Sequence, residues 1–198
     1  MKILYGPSSP YSAKVRMAAR HAGIDVESVV VSTEAMPELL VGNNPLGKIP
    51  VLIEDDGRAV YDSRAIMQHL NRLSGGKLFP RNAGRRTEAE VLEALCDGIT
   101  DCLLAIIYEK RFHPPEKIHE DWIARQWLKA TRGLDHLENN LPKTGRSLHG
   151  GHFALAALIG YLELRFAGQW EKGHRKLARW PQKFEKLFAD YPEFKPRG

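Results

Sequence analysis

Cysteine is scarce: two occur in 198 residues. Cys96 and Cys102 stand six apart in a helical pattern, so they leave the helix on different faces. They form neither a CxxC motif nor a plausible disulfide, and a reducing compartment, the cytoplasm, is expected. Long apolar runs are lacking as well. No segment reaches membrane-spanning length, and the N-terminus has no apolar stretch of the signal-peptide kind, so no membrane role is expected. Nor is there a concentrated field of one sign. The net charge of +5 is dispersed, whereas a nucleic-acid binder concentrates its basic residues in a stripe with aromatics interleaved. No nucleic-acid partner is expected. The Arg85-Arg86 pair and the segment 172–179 are the local excesses; both read as solvated faces that also raise the local concentration of anionic ligands. No metal site is expected either. His149 and His152 are three apart, but two glycines lie between them and no third ligand is near, so they read as loop histidines.

What is present is an ordinary globular composition, 43% apolar and 27% charged, with room for one large domain or two small ones sharing a core. Lys2 to Tyr5 reads as a strand and Gly6 to Ser9 as a loop. Pro10 fits the first position of a helix, where its missing N–H costs nothing. Tyr11, Val15, Ala18 and Ala22 line one face of that helix, and Gly23 ends it. Val26 to Val31 is a short apolar strand; Thr33 to Gly42 is a weak helix or a loop. Strand, helix, strand, hairpin and helix is the order of a thioredoxin-like α/β layer, and the hairpin argues against a doubly wound sheet.

The organising stretch runs from Asn43 to Leu70, NNPLGKIPVLIEDDGRAVYDSRAIMQHL. Pro50 opens the strand Val51-Leu52-Ile53, and a cis Ile49–Pro50 bond is expected, leaving the Ile49 backbone free to pair with an extended peptide. Glu54 to Gly57 is a hairpin turn and Arg58 to Tyr61 the return strand. Ile66, Met67, Leu70 and Leu73 share one helical face, which makes Asp62-Ser63 a helix N-terminus. Unpaired N–H groups and the helix dipole favour an anion there. A peptide-pairing edge beside a carboxylate-binding helix end, with Asp62 available to an ammonium, suits one end of a small peptide.

Residues 78–86 lose hydrophobic periodicity and collect Pro, Asn and Gly, so they are read as a linker between domains 1–77 and 87–198. The second domain reads as all-helical. Leu92, Leu95, Ile99, Leu103 and Ile106 form one stripe; Ile123, Trp127, Ala130, Leu134, Leu137 and Leu141 form another, after the break at Pro114-Pro115. Phe153 to Phe166 is apolar nearly all round and reads as a buried central helix. A last helix is expected over Pro181 to Tyr191, with the proline in its first turn.

KIPVL followed by YDSRAI resembles the glutathione-binding half of the glutathione S-transferase family, and KILYGPSSPYSAKVRMAARHAGI resembles the family's first strand, active-site loop and first helix. Together they cover most of residues 1–80. The resemblance implies a glutathione S-transferase of the bacterial, serine-type kind, with glutathione as co-substrate and an electrophile as second substrate. It places the thiol-activating hydroxyl at Ser9, with Ser8 and then Tyr5 as alternates. A helix N-terminus plus a hydroxyl donor lowers a thiol pKa, although by itself Ser9 reads as a helix cap. Ile49 and Pro50 would pair the cysteinyl unit, Lys48 would meet the glycine carboxylate, and Asp62 and Ser63 would hold the γ-glutamyl end. Tyr11, Tyr108 and Phe112 would wall the electrophile pocket between the domains. The resemblance further implies a homodimer, with Asp101 reaching a neighbour's glutathione. Other readings on the same fold are a non-catalytic interaction module and a glutathione-dependent isomerase, peroxidase or dehalogenase. One departure stands out. Related proteins start the buried helix with an S/T-x-x-D capping box, and SLHGGHFALAAL has none, so another cap is needed, from the Gly150-Gly151 backbone or His152.

Overall fold

The computed structural model describes residues 1–145 and 147–198. In chain order come β1 (Lys2–Tyr5), α1 (Pro10–Ala22), β2 (Glu27–Val30), a single turn α2 (Glu38–Val41), β3 (Val51–Ile53), β4 (Ala59–Tyr61) and α3 (Ser63–Leu73). The strands make one sheet in the order β2-β1-β3-β4, with β1 parallel to β2 and antiparallel to β3, the thioredoxin-like layer expected. Alternation along β1 sorts its side chains. Ile3 and Tyr5 join the main core with Val15, Ile66 and Leu70, while Leu4 faces the other way onto Val51 and Leu40. Gly57 (φ 86°) closes the hairpin turn, and Glu54 N–H donates to the Arg58 carbonyl at 2.9 Å.

The short apolar strand expected at Val26–Val31 forms over Glu27–Val30, at the edge of the sheet, and Val30 is 60% exposed. A strand paired on one side only, with a single turn as its cover, has too little to pack against. One expectation fails in this layer. Leu73 leaves the buried face of α3; it is the last residue of the helix and the chain has already turned outward.

The rest is helical: α4 (Ala83–Phe112), a 3₁₀ turn over Pro115–Lys117, α5 (Glu120–Asn139), α6 (Gly150–Arg165), α7 (Arg175–Glu185) and α8 (Tyr191–Phe194). Helix α4 begins inside the stretch read as a linker, because the Asn82 side chain accepts from the Arg85 N–H at 3.0 Å and caps it. The residues before it are anchored too. Leu78 and Phe79 are buried and donate both amides to Asn71 Oδ1 at 3.0 Å. Leu141 lies past the end of α5. Pro181 sits inside α7 rather than at its start. The helix begins earlier because the Glu138 carboxylate from α5 accepts the Lys176 and Leu177 amides at 3.0 and 2.8 Å, and Leu177, Trp180, Pro181 and Phe184 then bury one face.

Helix α6 is the central post, buried from Gly150 through Leu162 and packed against α4 and α1. Its close approach at the N-terminus depends on Gly151, where a Cβ would stand 2.8 Å from the Ala89 carbonyl. The missing hydroxyl–carboxylate cap is replaced by histidine. His152 Nδ1 accepts from the His149 N–H at 3.2 Å, leaving the Nε2–H to point at the Lys143 carbonyl at 3.3 Å. That arrangement needs a neutral ring. Burial brings both His149 and His152 down to about 4 from the ordinary 6.5, and His149 adds to the lowering at His152.

The sign of the pH effect follows. Unfolded histidines take up protons below about 6.5, while the folded pair resists until about 4, so stability falls as pH drops through that window and is unaffected above it. Thermal melts are expected to show a Tm roughly 5 °C or more lower at pH 4.5 than at pH 7.5. In the variant His149→Thr/His152→Asp the fall should be shallower. Equal slopes in both proteins would show that the pair does not govern acid stability.

Candidate functional site

One end of the sheet gathers the loop after β1, the start of β3 and the end of β4, since Leu4 pairs with Val51 and Val51 with Tyr61. The first loop leads into α1. Ser9 is its N-cap, extended at φ −79° and ψ 117°, and its Oγ accepts from the Ser12 N–H at 3.2 Å. The Ser9 O–H keeps its own proton to donate and lies at the positive end of the helix. Ser8 lies in the turn just before, half-buried. Tyr5 is elsewhere: its ring is buried, with the Arg16 guanidinium 4.1 Å above the centroid.

Across from this loop the Ile49–Pro50 peptide is cis, as expected from the sequence. The Ile49 amide and carbonyl make no backbone hydrogen bond among the described residues, so they are available to an extended ligand. The loop behind them is stapled by Asn44, buried at 2% exposure, whose Nδ2 donates to the Lys48 carbonyl at 2.8 Å and whose Oδ1 accepts from the Leu46 N–H at 3.1 Å. Lys48 itself is exposed. Gly6 permits the approach of the two loops, because a Cβ there would stand 2.8 Å from Ile49 Cδ1.

The third component is the start of α3. Asp62 is a non-glycine residue at φ 59°, and its Oδ1 accepts from the Arg64 N–H at 2.8 Å. Ser63 follows at the first helical position, buried at 6% exposure. Both lie where the unpaired amides and the helix dipole attract an anion.

Under this edge runs a buried ion network that the sequence did not disclose. Lys14 on α1 has no exposed surface; its Nζ donates to Asp97 at 2.7 and 3.0 Å and lies 2.9 Å from Glu93 Oε1, both on α4. Asp97 Oδ2 also accepts from Arg64 Nε at 3.0 Å. Burial holds the Glu93 carboxyl above the ordinary carboxylate value even with Lys14 alongside. A single lysine in an apolar helix carries little signal, though Glu93 and Asp97 four apart on one face would have been a reason to look for a cation.

The residues expected to wall an electrophile pocket lie at the start of α1 and in the last turns of α4. Tyr11, second in α1, is half-buried and gives its hydroxyl proton to Asp101 on α4 of the same chain, and burial together with that carboxylate raises its pKa. Tyr108 and Phe112 sit at the far end of α4 with their rings edge-on at 5.3 Å. A cavity of about 600 Å³ lined by Glu109, Lys117, His119, Asp121, Trp122 and Arg125 includes none of the expected residues. Among the described residues no group of three or more His, Cys, Asp or Glu is placed to hold a metal.

A model of the glutathione S-transferase N-terminal domain matches residues 8–73. YibF, an uncharacterized GST-like protein of Escherichia coli K12, is 30% identical over 170 residues that cover 83% of each chain. Two solved structures superpose over almost the whole molecule. A glutathione S-transferase from Methylobacillus flagellatus KT, with glutathione bound, is 35% identical with a TM-score of 0.89 and covers 99% of each chain. A glutathione transferase family member from Pseudomonas fluorescens Pf-5, with bound glutathione, is 30% identical with a TM-score of 0.88 over 100% of this chain and 99% of that one.

The ion network yields a stability prediction. Lys14→Met leaves buried Glu93 without a cation and Asp97 with Arg64 alone, and is expected to cost about 3–5 kcal/mol, read as a lower urea midpoint. Adding Glu93→Leu should recover part of that loss. A Lys14→Met protein with the wild-type midpoint would show that the network holds nothing together.

Proposed function

The chain belongs to the glutathione S-transferase family, and on that premise we propose that it activates the thiol of glutathione for attack on an electrophilic co-substrate. The observation that carries the reading is the juxtaposition, at one end of one sheet, of an unpaired Ile49 backbone, a hydroxyl-capped helix start at Ser9 and an anion-favouring helix start at Asp62-Ser63. Glutathione is a peptide with a carboxylate at each end and a thiol in the middle. In this reading the Ile49 backbone pairs with its cysteinyl unit. Asp62 takes the α-ammonium of the γ-glutamyl end, while Ser63 and the α3 amides take its carboxylate. Lys48, on the loop before Pro50, meets the glycine carboxylate.

Ser9 donates to the sulfur. Its oxygen is engaged by the Ser12 amide, which polarises the hydroxyl, and the α1 dipole adds to the stabilisation of a thiolate. A pKa lowered by one unit corresponds to about 1.4 kcal/mol. Ser8 is the alternate donor; Tyr5 ranks behind it, since its ring is packed under Arg16. Residues 1–77 form the glutathione-binding unit, and residues 87–198 carry the pocket for the electrophile. The two cysteines take no part: burial raises the pKa of both, and they stay thiols. A cytoplasmic homodimer is the working form in this reading, and the exposed Leu73 and Val91 supply apolar surface for a second copy.

Isothermal titration with glutathione tests the site. Wild type should bind saturably, and Ser63→Ala should lose more than about tenfold in affinity, the worth of a charge-assisted hydrogen bond of roughly 1.5–3 kcal/mol. Equal binding by the two proteins would remove Ser63 from the site.

Rate measurements test Ser9. Ser9→Ala should keep its affinity for glutathione and conjugate about 10²-fold more slowly. Ser9→Cys should acquire a different reaction: its thiolate attacks the glutathionyl sulfur of a mixed disulfide, expels the partner thiolate, and is then released by a second glutathione as glutathione disulfide. If Ser9→Ala conjugates at the wild-type rate and Ser9→Cys reduces no mixed disulfide, Ser9 is a helix cap only and Ser8 becomes the candidate.

A further inference from the structure

The last turns of α4 have a chemical character of their own. Tyr108, Arg111 and Phe112 lie three and four residues apart, on one face of the last turns of α4. Tyr108 and Phe112 are 43% and 62% exposed, uncommon for large rings in an element that also supplies the core. The Arg111 guanidinium stands 6.0 Å from the Tyr108 centroid. On the facing helix α6, Tyr161 and Arg165 are four apart and share a face. The Tyr161 side chain is largely buried, and its hydroxyl, which makes no hydrogen bond among the described residues, is not among the atoms sealed from solvent. Burial pushes that hydroxyl up to about 12 while Arg165 and Arg111 pull it down, so both arginines bear on one buried phenol that stays protonated at neutral pH.

The charges around these rings are unbalanced. Arg165 has no ion pair among the described residues, and Arg111 reaches only the exposed Glu34, at 3.8 Å. Such a surface pair contributes little and is easily exchanged for a better partner. The nearby carboxylate of Asp101 is already taken by the Tyr11 hydroxyl. Two arginines and a free phenol O–H beside two exposed, edge-on rings therefore match a planar ligand that ends in a carboxylate. Guanidinium groups bind carboxylates through paired N–H donors, and aromatic walls read the flat face of a ring.

We propose that the electrophile taken by this chain is an aryl compound bearing a carboxylate, its ring held by Tyr11, Tyr108 and Phe112 and its carboxylate by Arg111, Arg165 and the Tyr161 hydroxyl. This rests on the glutathione-transferase reading given above. A matched pair of probes isolates the carboxylate: 4-chloro-3-nitrobenzoate and 4-chloro-3-nitrobenzamide. In each, the glutathione sulfur attacks the ring carbon bearing chlorine, a C–S bond forms, the C–Cl bond breaks, chloride leaves with the bonding pair, and the thiol proton goes to solvent.

Two measurements decide it. The first compares kcat/KM for the two electrophiles, each divided by its uncatalysed rate with glutathione. The second titrates the two S-aryl glutathione products into the protein, a readout that needs no turnover. The acid should be favoured over the amide by about tenfold or more in both, and Arg111→Gln and Arg165→Gln should each shrink that ratio about three- to tenfold. Products that bind equally, or a ratio unmoved in both arginine variants, would overturn the proposal. A parallel titration with glutathione alone separates the two levels. If glutathione binds and the products do not differ, the carboxylate assignment falls and the transferase reading stands; if neither glutathione nor either product binds, both fall together.

Discussion

A lysine without exposed surface holds the two helical layers in register. Lys14 rises from α1 between Glu93 and Asp97 of α4, and Asp97 turns its second lone pairs to Arg64 at the start of α3. Taking these charges out of water costs several kcal/mol per ion, and their attraction compensates only when the geometry is close and every polar atom is used. The distances of 2.7–3.0 Å meet the first demand and Asp97 meets the second, while Glu93 Oε1 is held by charge alone, without a hydrogen bond, so the three helices are fixed relative to one another chiefly through Asp97. An apolar interface of the same area would be as stable with more freedom to slide. What the ions add is position.

That position matters because of what lies directly above. Arg64 is the residue after Ser63, and its amide is capped by the Asp62 carboxylate. Anchoring the Arg64 side chain on Asp97 therefore sets the direction in which the first amides of α3 point. Ser9 caps α1 five residues before Lys14, so the same network also sets the other helix start. Two helix N-termini, each a source of partial positive charge, are thus held against one sheet end by a single buried cluster. The positive end of each helix and the rigidity of its foundation come from the same few residues.

The layered fold was legible in the sequence because its signals are local. Proline before a β run, glycine in a four-residue turn and Asp-Ser ahead of a helical stripe each depend on neighbours in the chain, and KIPVL with YDSRAI sits in the structure as read. The same locality explains the misses. Lys14 lies in a helix buried on nearly all sides, so periodicity cannot mark it as the partner of residues some eighty positions away. Pro181 has the local look of a helix start, yet Glu138 from another helix supplies the real one. Leu73 shares the apolar stripe of α3 yet is 49% exposed at the end of the helix, a fact about neighbours and not about sequence. The His149–His152 cap follows no propensity rule; it works because burial keeps both rings neutral.

The backbone at Asp62 shows how the site uses its support. A non-glycine residue at φ 59° costs of order 1–3 kcal/mol and persists only where surroundings over-determine it. Here the strand before it is paired to β3, the side chain caps Arg64, and Arg64 is tied to Asp97. Together these constraints hold a conformation that a free loop would abandon. The turn they enforce is abrupt, and it places Ser63 and the first amides of α3 at the sheet end instead of continuing the line of β4. Relaxing any one of the three would let the chain return to an ordinary backbone and would swing the start of α3 away from Ile49. The strained residue and the buried lysine are therefore parts of one device, in which interior charge pairing offsets a strained surface conformation.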